Sequence, residues 1–151
     1  METTITSDYK SLKLAYVEVK TFIEEAVGTE VNSLQTKIDE DLGCAGDDNY
    51  ELIVKFVEKY NLDYTGFDYS KHFLSEGELF GPLNSLLTLI GLPIAIAFWL
   101  IKVITNGKVN LFKANLFPNW QRPTLDLTFG DMLTWYLRGK YCLRTDVKFE
   151  L

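Results

Sequence analysis

A thiol and several carboxylates are concentrated in residues 41–48, which read Asp-Leu-Gly-Cys-Ala-Gly-Asp-Asp, and Glu51 follows closely. Carboxylates can bind a cation or a basic protein surface, and a thiolate can act as a nucleophile. Each of these chemistries requires particular residues at particular distances along the chain, so the sequence can be tested for each of them.

A calcium-binding loop does not fit this stretch. Such a loop needs a glycine at its sixth position and a glutamate at its twelfth. Counted from Asp39, these two positions hold Cys44 and Tyr50. We therefore expect no metal ion and no cofactor here.

Nucleophilic catalysis also finds little support. Cys44 precedes a predicted helix start, which lowers a thiol pKa, but the surrounding carboxylates raise it. His72 is the only histidine, and nothing near it suggests a Ser-His-Asp or Cys-His arrangement. There is no glycine-rich phosphate loop and no hydrolase motif. The sequence therefore predicts a protein that is not an enzyme.

The acidic residues have two interpretations. One is a solvated helix start, because the helix dipole stabilises each first-turn carboxylate by roughly 0.3–1 kcal/mol. The other is a docking surface for a basic protein. Residues 1–85 hold 7 Lys and Arg against 17 Asp and Glu, a net charge of −10, whereas residues 86–151 hold 8 against 4, or +4. The acidic first half argues against nucleic acid as a partner. The candidate docking residues are Asp41, Asp47, Asp48 and Glu51.

Two helices must position this stretch. The first begins after Ser7 or Asp8 and ends at Gly28, and its apolar face is Tyr9, Leu12, Tyr16, Val19, Ile23 and Val27. Residues 29–46 form a long connection whose expected anchors are Val31, Leu34, Ile38 and Leu42. Asp48 and Glu51 resemble a capping box for the second helix, whose buried stripe is Ile53, Phe56, Val57 and Tyr60.

The rest of the chain predicts two further helices and two strands. Residues 61–73 predict a loop and a short helix held by aromatic rings. Thr128 and Asp131 cap a last helix that ends at Gly139. Alternating apolar and polar residues predict a final strand over 141–151, with a short strand over 108–117 as its candidate partner.

Residues 83–104 are almost continuously apolar, with Gly91 and Pro93 near the middle. One helix of this length would reach roughly 33 Å, enough to cross a bilayer core of about 30 Å. A single crossing would separate the early helices from the last one. We therefore favour a helical hairpin that turns at Gly91 and Pro93 and touches the membrane surface or packs over the bundle. The candidate membrane-contacting residues are Leu86, Leu87, Leu89, Ile90, Leu92, Ile94, Ile96, Phe98, Trp99, Leu100 and Ile101.

Two cysteines without metal-type spacing indicate a reducing compartment, and the N-terminus shows no basic region followed by an apolar run. These two features predict a cytoplasmic protein, and the apolar segment over residues 83–104 predicts that it is membrane-associated.

The order of motifs resembles domain-of-unknown-function family 1493, a set of small bacterial proteins. Its members show Asp-Leu-Gly-x-x-Gly-Asp-Asp, as residues 41–48 do, and then an aromatic-rich segment with Phe-Asp, as residues 67–73 do. Near the end they show a Leu-Thr-x-x-Asp-Leu-type helix and Gly-Lys-aromatic, matched by residues 127–133 and 139–141. The resemblance covers about residues 9–141.

Members of this family resemble acyl carrier proteins. The resemblance implies a mostly α, acyl-carrier-protein-like bundle in one domain over 1–151, interrupted by an apolar insertion at about 80–107, with a small C-terminal β-ribbon. Carrier proteins hold a phosphopantetheine arm on a serine, and here Gly46 occupies that position. The predicted function is a non-catalytic interaction module without the arm. A single-span membrane protein and an inhibitor or immunity-type binder are the alternatives.

Glycine has no hydroxyl to carry an arm, and no serine lies between Ser33 and Ser70. We therefore expect the protein to stay unmodified when it is incubated with a phosphopantetheinyl transferase and coenzyme A. Intact-protein mass spectrometry checks this, with an acyl carrier protein as the positive control. A mass gain of one arm would overturn the prediction.

Overall fold

The structure is a computed structural model that describes residues 3–79, 82–107 and 122–150. The fold is mostly helical and includes one small sheet. In chain order its elements are strand β1 (Thr3–Thr6), helices α1 (Tyr9–Val27), α2 (Asp47–Tyr60), α3 (Tyr69–His72), α4 (Glu76–Leu79), α5 (Pro82–Ile104) and α6 (Phe129–Arg138), a 3-10 helix (Arg144–Asp146) and strand β2 (Val147–Glu150). Residues 1–75 and 124–151 form one compact unit, and residues 76–123 form a second.

Helix α1 has the ends that the sequence predicts. The Asp8 carboxylate accepts hydrogen bonds from the N–H groups of Lys10 and Ser11, at 2.9 and 3.0 Å. Gly28 ends the helix in the left-handed conformation, with φ 76°. The buried face consists of Ala15, Val19, Phe22 and Ile23, whereas Tyr9, predicted on the apolar face, is exposed.

Helix α6 is the most deeply buried of the long helices that the structure describes, because every residue from Phe129 to Trp135 is buried. Its predicted capping box is confirmed. The Asp131 N–H donates to Thr128 Oγ1 at 3.1 Å, and the Thr128 N–H donates to Asp131 Oδ2 at 2.9 Å. Asp131 Oδ1 also accepts the N–H of Arg144 at 2.7 Å, so one carboxylate fixes both the start of α6 and the chain that follows it.

The core of the first unit joins α1, α2 and α6. Helix α1 packs against both of the other helices. The Trp135 ring lies 5.9 Å from the Phe56 ring on α2 and 5.2 Å from the Phe67 ring, measured between centroids. Such aromatic pairs contribute about 0.5–1.5 kcal/mol each beyond the area that they bury. The last helix therefore shares one core with the first two.

The final strand predicted over 141–151 is present only as β2, because Arg144–Asp146 form a 3-10 helix. The partner of β2 in the structure is β1. The two strands run parallel, with Thr3 opposite Val147 and Thr6 opposite Glu150. Strand β1 was not predicted, although its Thr-Thr-Ile-Thr run is rich in β-branched residues, which favour strands. The candidate partner strand over 108–117 lies outside the described residues.

The long α1–α2 connection is anchored by Val31, Ile38 and Leu42, which are buried as predicted. The prediction for Leu34 was wrong, because its side chain is 37% exposed. Leu34 contributes through its backbone instead, since its carbonyl accepts the Gly130 N–H at 2.8 Å. A main-chain contact of this kind leaves no hydrophobic signal in the sequence.

Helix α5 corrects the predicted hairpin. It is one continuous helix of 23 residues, with Pro93 inside it, so the turn at Gly91 and Pro93 was wrong. A proline lacks only its own N–H donor and crowds one carbonyl four residues earlier. The apolar residues on either side keep the other helical hydrogen bonds, and the helix continues through.

The predicted membrane-contacting residues fall into two groups. The side chains of Leu86, Leu87, Leu89, Ile90 and Leu92 lie outside what the structure describes. Phe98 is half-buried, and the exposed members are Ile94, Ile96, Trp99, Leu100 and Ile101. Within residues 3–79, 82–107 and 122–150, no helix has the combined length and apolar character that a membrane crossing requires, so the predicted transmembrane helix is not supported.

The close approach of α6 to the α1–α2 connection gives a stability prediction. A Cβ added at Gly130 would lie 2.8 Å from the Leu34 carbonyl oxygen, and backbone atoms cannot move away easily. We expect Gly130→Ala to lower the free energy of unfolding by about 1–3 kcal/mol, measured by urea denaturation. Gly77→Ala is the control, because a Cβ at this helical glycine meets nothing within 4 Å. Equal stability of the two variants would contradict the prediction.

Candidate functional site

The candidate site is the acidic turn, defined here as residues 39–51. It comprises the end of the α1–α2 connection and the first turn of α2. Three independent sets of hydrogen bonds hold it, and they come from the chain before α6, from the turn itself and from α3.

The chain before α6 supplies the first set. The Ile38 N–H donates to the Leu127 carbonyl at 2.8 Å. The Asp126 carboxylate accepts the N–H of Asp39 at 3.2 Å and the N–H of Glu40 at 3.0 Å. Asp126 thus caps the turn from 87 residues away in sequence. Asp126 was not predicted as a site residue, because a single aspartate in a connection carries no periodic signal.

Within the turn, the Asp41 carboxylate accepts the Lys37 N–H at 2.8 Å, and the Gly43 N–H donates to the Asp39 carbonyl at 2.9 Å. Gly43 has φ 70°, a conformation that glycine adopts without strain. Asp41, predicted as a docking residue, therefore has a structural role in closing the turn.

Helix α2 begins at Asp47, two residues before the start that an Asp48 cap predicts. Its N-cap is Gly46, with φ 63° and ψ −128°, and no side chain caps the helix. The predicted capping box of Asp48 and Glu51 was therefore wrong. The left-handed φ of Gly46 turns the chain directly into the helix, which places Asp47 and Asp48 together in the first turn.

Helix α3 supplies the third set of hydrogen bonds. The Tyr69 hydroxyl lies 2.8 Å from the Gly46 carbonyl oxygen and also contacts Oδ1 of Asn49. Burial and the nearby Asp47 carboxylate raise the pKa of Tyr69 to about 12, so this hydroxyl keeps its proton and donates. Asn49 is fully buried, and in the described part of the chain its Nδ2 has no hydrogen-bond partner.

A small open cleft lies beside the turn, between the end of α1 and the start of α2. Its volume is about 210 Å³. The residues that line it are Ala26, Val27, Leu42, Gly43, Cys44, Asp48, Glu51, Leu52 and Lys55. Asp48 and Glu51, both predicted docking residues, therefore line one cleft, and most of its exposed lining is polar.

The four predicted docking carboxylates are all exposed, but they differ in their contacts. Asp41 is bound to the Lys37 backbone, and Glu51 Oε1 lies 2.7 Å from the Lys55 ammonium. In the described residues, no hydrogen bond or ion pair involves the side chains of Asp47 and Asp48. These two carboxylates are the part of the turn most available to a partner.

Burial and neighbouring negative charges raise the pKa values of other groups in the site. Burial, followed by the Glu40 charge, raises the pKa of Asp39, and burial raises the pKa of Asp126 despite the two N–H groups that it accepts. Burial, followed by the charges of Asp48, Asp39 and Asp126, raises the pKa of the Cys44 thiol to about 11. Cys44 is thus a buried thiol and not a thiolate nucleophile at neutral pH.

His72 belongs to the core and lies apart from the acidic turn. It is fully buried, and its ring is stacked on the Phe67 ring at 5.5 Å. Nδ1 lies 2.6 Å from the Leu125 carbonyl oxygen and Nε2 lies 2.5 Å from the Tyr141 hydroxyl, so both nitrogens are used in structural hydrogen bonds. Across the residues that the structure describes, no group of three or more His, Cys, Asp or Glu side chains could hold a metal ion.

With the geometry established, comparison with known proteins gives the family. The profile of the family described as a protein of unknown function, DUF1493, matches residues 6–88, which is more than half of the chain. The protein therefore belongs to this family, and the family predicted from the motif order is confirmed. The match includes α1, the acidic turn and α2. The chain matches no curated protein and no solved structure.

The Cys44 environment gives a chemical prediction. At pH 8 a thiol with pKa about 11 is about 0.1% thiolate, against roughly 10% for an ordinary cysteine, and only the thiolate is alkylated. In a Cys142→Ser variant, we expect iodoacetamide to label Cys44 about 100-fold more slowly in the folded protein than in urea. Mass spectrometry over time measures both rates, and equal rates would contradict the burial of Cys44.

Proposed function

We propose that the protein is a non-catalytic interaction module that presents the acidic turn to a basic protein surface. Its bundle is carrier-protein-like but lacks the serine for a phosphopantetheine arm. The observation that carries the proposal is the pair Asp47 and Asp48. Both lie exposed in the first turn of α2, and neither has an ion-pair partner in the described part of the chain.

The support of the turn favours docking over a purely solvated helix start. A solvated start needs only water around its carboxylates, and the helix dipole stabilises them. Here Asp126, Tyr69 and the Leu127 carbonyl fix the backbone on both sides of the pair. A fixed backbone lowers the conformational entropy that a partner must remove on binding.

Charge favours a basic partner. Residues 1–85 carry a net charge of −10, and the turn adds Asp39, Glu40 and Asp41 to the two exposed carboxylates. Such a concentration of negative charge speeds association with an oppositely charged surface. The attraction weakens as salt screens the charges. The adjacent cleft, lined in part by the Asp48 and Glu51 carboxylates, has a mostly polar surface that suits a cationic side chain of that partner.

The same site disfavours an enzyme or a true carrier. The position that carries the arm in carrier proteins is Gly46, which has no hydroxyl and whose backbone forms the helix start. Cys44 holds its proton, and His72 lies in the core. We accordingly propose no phosphopantetheine arm, no cofactor and no catalytic residue for this protein.

Association with lipid is the second part of the proposal. It is favoured by the exposed apolar side chains of α5 between Ile94 and Ile104. An inhibitor or immunity-type role would use the same acidic turn against a basic target, and it differs from the leading proposal only in the partner. A cytoplasmic location stays a prediction from the sequence.

Charge reversal tests the docking proposal. We expect the double change Asp47→Lys and Asp48→Lys to abolish capture of the proteins that the unsubstituted chain retains from the cells' own extract and native membranes. The control is Glu25→Lys with Glu58→Lys, which makes the same change in net charge at exposed helical positions outside the turn.

Quantitative mass spectrometry of the captured proteins is the measurement, repeated at low and high salt. The control variant should retain the partners, and the retained amount should fall as salt increases. Capture that is unchanged in the Asp47 and Asp48 variant would show that the acidic turn is not the docking surface.

A further inference from the structure

The second half of α5 carries a surface that the acidic turn does not use. From Ile94 to Ile104, large apolar side chains are exposed, and Trp99 and Ile104 have exposed fractions of 56% and 81%. Isolated apolar side chains are ordinary on a protein surface, but a continuous patch of them marks an interaction site.

The exposed apolar side chains cover more than half of the helix circumference. A helix turns by about 100° per residue, so Trp99 lies at about 140° from Ile94, Ile96 at about 200° and Ile104 at about 280°. Lys102 and the half-buried Phe98 lie in the remaining arc. A helix that docks on one protein surface needs a single apolar stripe of about 100°. An apolar arc of about 220° fits a surrounding apolar medium better than one flat partner.

The charges in and after this helix indicate which kind of apolar medium it contacts. Residues 79–125 contain four cationic residues, Lys102, Lys108, Lys113 and Arg122, and no Asp or Glu. Lys102 is exposed among the apolar side chains of α5, and Arg122 is paired with Glu78 at 2.9 Å. A stretch of one sign that follows an apolar segment complements a negatively charged surface.

We infer that the segment Ile94–Ile104 inserts into the surface of a bilayer that carries anionic headgroups, with Lys102 at the level of the phosphates. The inference rests on the proposed lipid association and adds the class of lipid and the segment that contacts it. Eleven residues of helix extend over about 16 Å. Because α5 continues without a break before Ile94, the segment lies along the surface with its apolar arc toward the acyl chains. Trp99 supplies an indole ring, which favours the membrane–water interface.

Vesicle flotation with the full-length protein tests the inference. The two probes are vesicles of phosphatidylcholine alone and vesicles of phosphatidylcholine with phosphatidylglycerol. We expect at least tenfold stronger binding to the second, and a loss of about fivefold on Lys102→Gln. High salt should reduce the preference, because it screens the charge on the headgroups.

Matched variants identify the contact. Ile96→Glu with Val103→Glu should abolish flotation, because both exposed side chains would carry charge into the apolar layer. Leu14→Glu with Val17→Glu places the same change on exposed apolar positions of α1 and should leave flotation intact. Circular dichroism confirms that both variants stay folded.

The outcomes test lipid association and the preference for anionic lipid separately. Equal binding to both vesicles overturns the anionic preference and leaves lipid association standing. No binding to either overturns both. Flotation that survives Ile96→Glu with Val103→Glu overturns the assignment of this segment. A fourth result would assign the surface to a second copy of the chain instead. In that case the protein does not bind vesicles, it sediments as a dimer, and Ile96→Glu with Val103→Glu dissociates the dimer.

Discussion

The structure of the first unit depends on the hydrogen bonds that join the α1–α2 connection to the chain entering α6. Ile38, Phe129 and Gly130 each donate a backbone N–H across this junction, at 2.8 Å in every case. A connection of this length has few helical or strand hydrogen bonds of its own, and buried backbone groups without partners are costly. The chain before α6 supplies those partners. Without them, the residues that lead into α2 would keep only the hydrogen bonds of the turn itself and of Tyr69.

This dependence explains why a half-buried carboxylate is retained at Asp126. Burial disfavours its ionised form, as its raised pKa shows, and each N–H that it accepts offsets part of that cost. The same residue sits close enough to Cys44 to raise the pKa of that thiol. The turn therefore combines several negative charges at one place, and its backbone hydrogen bonds hold them there. Such an arrangement costs stability in the isolated protein and is useful when a cationic surface compensates it.

The two compact units differ in how they expose charge and apolar surface. The first buries its apolar side chains in an aromatic core around Trp135 and exposes carboxylates at the start of α2. In the second, α5 exposes apolar side chains, and Lys102 is the charged residue within that helix. These are surfaces for different kinds of partner, because a basic protein is attracted by charge and a lipid surface mainly by apolar area. The proposed function assigns one partner class to each.

The sequence by itself determined the features that depend on near neighbours. Helix caps involve residues three or four positions apart, so Asp8, Gly28, the Thr128–Asp131 box and Gly139 could be predicted. The order of three short motifs along the chain identified the family. Only the tertiary structure decided the pairing of β1 with β2, the cap that Asp126 provides and the burial of Cys44, because each depends on residues far apart in the chain. The error at Gly91 and Pro93 has a related cause. Whether a proline ends a helix or lies within it depends on the hydrogen bonds and packing of the surrounding helix, which the local sequence does not fix.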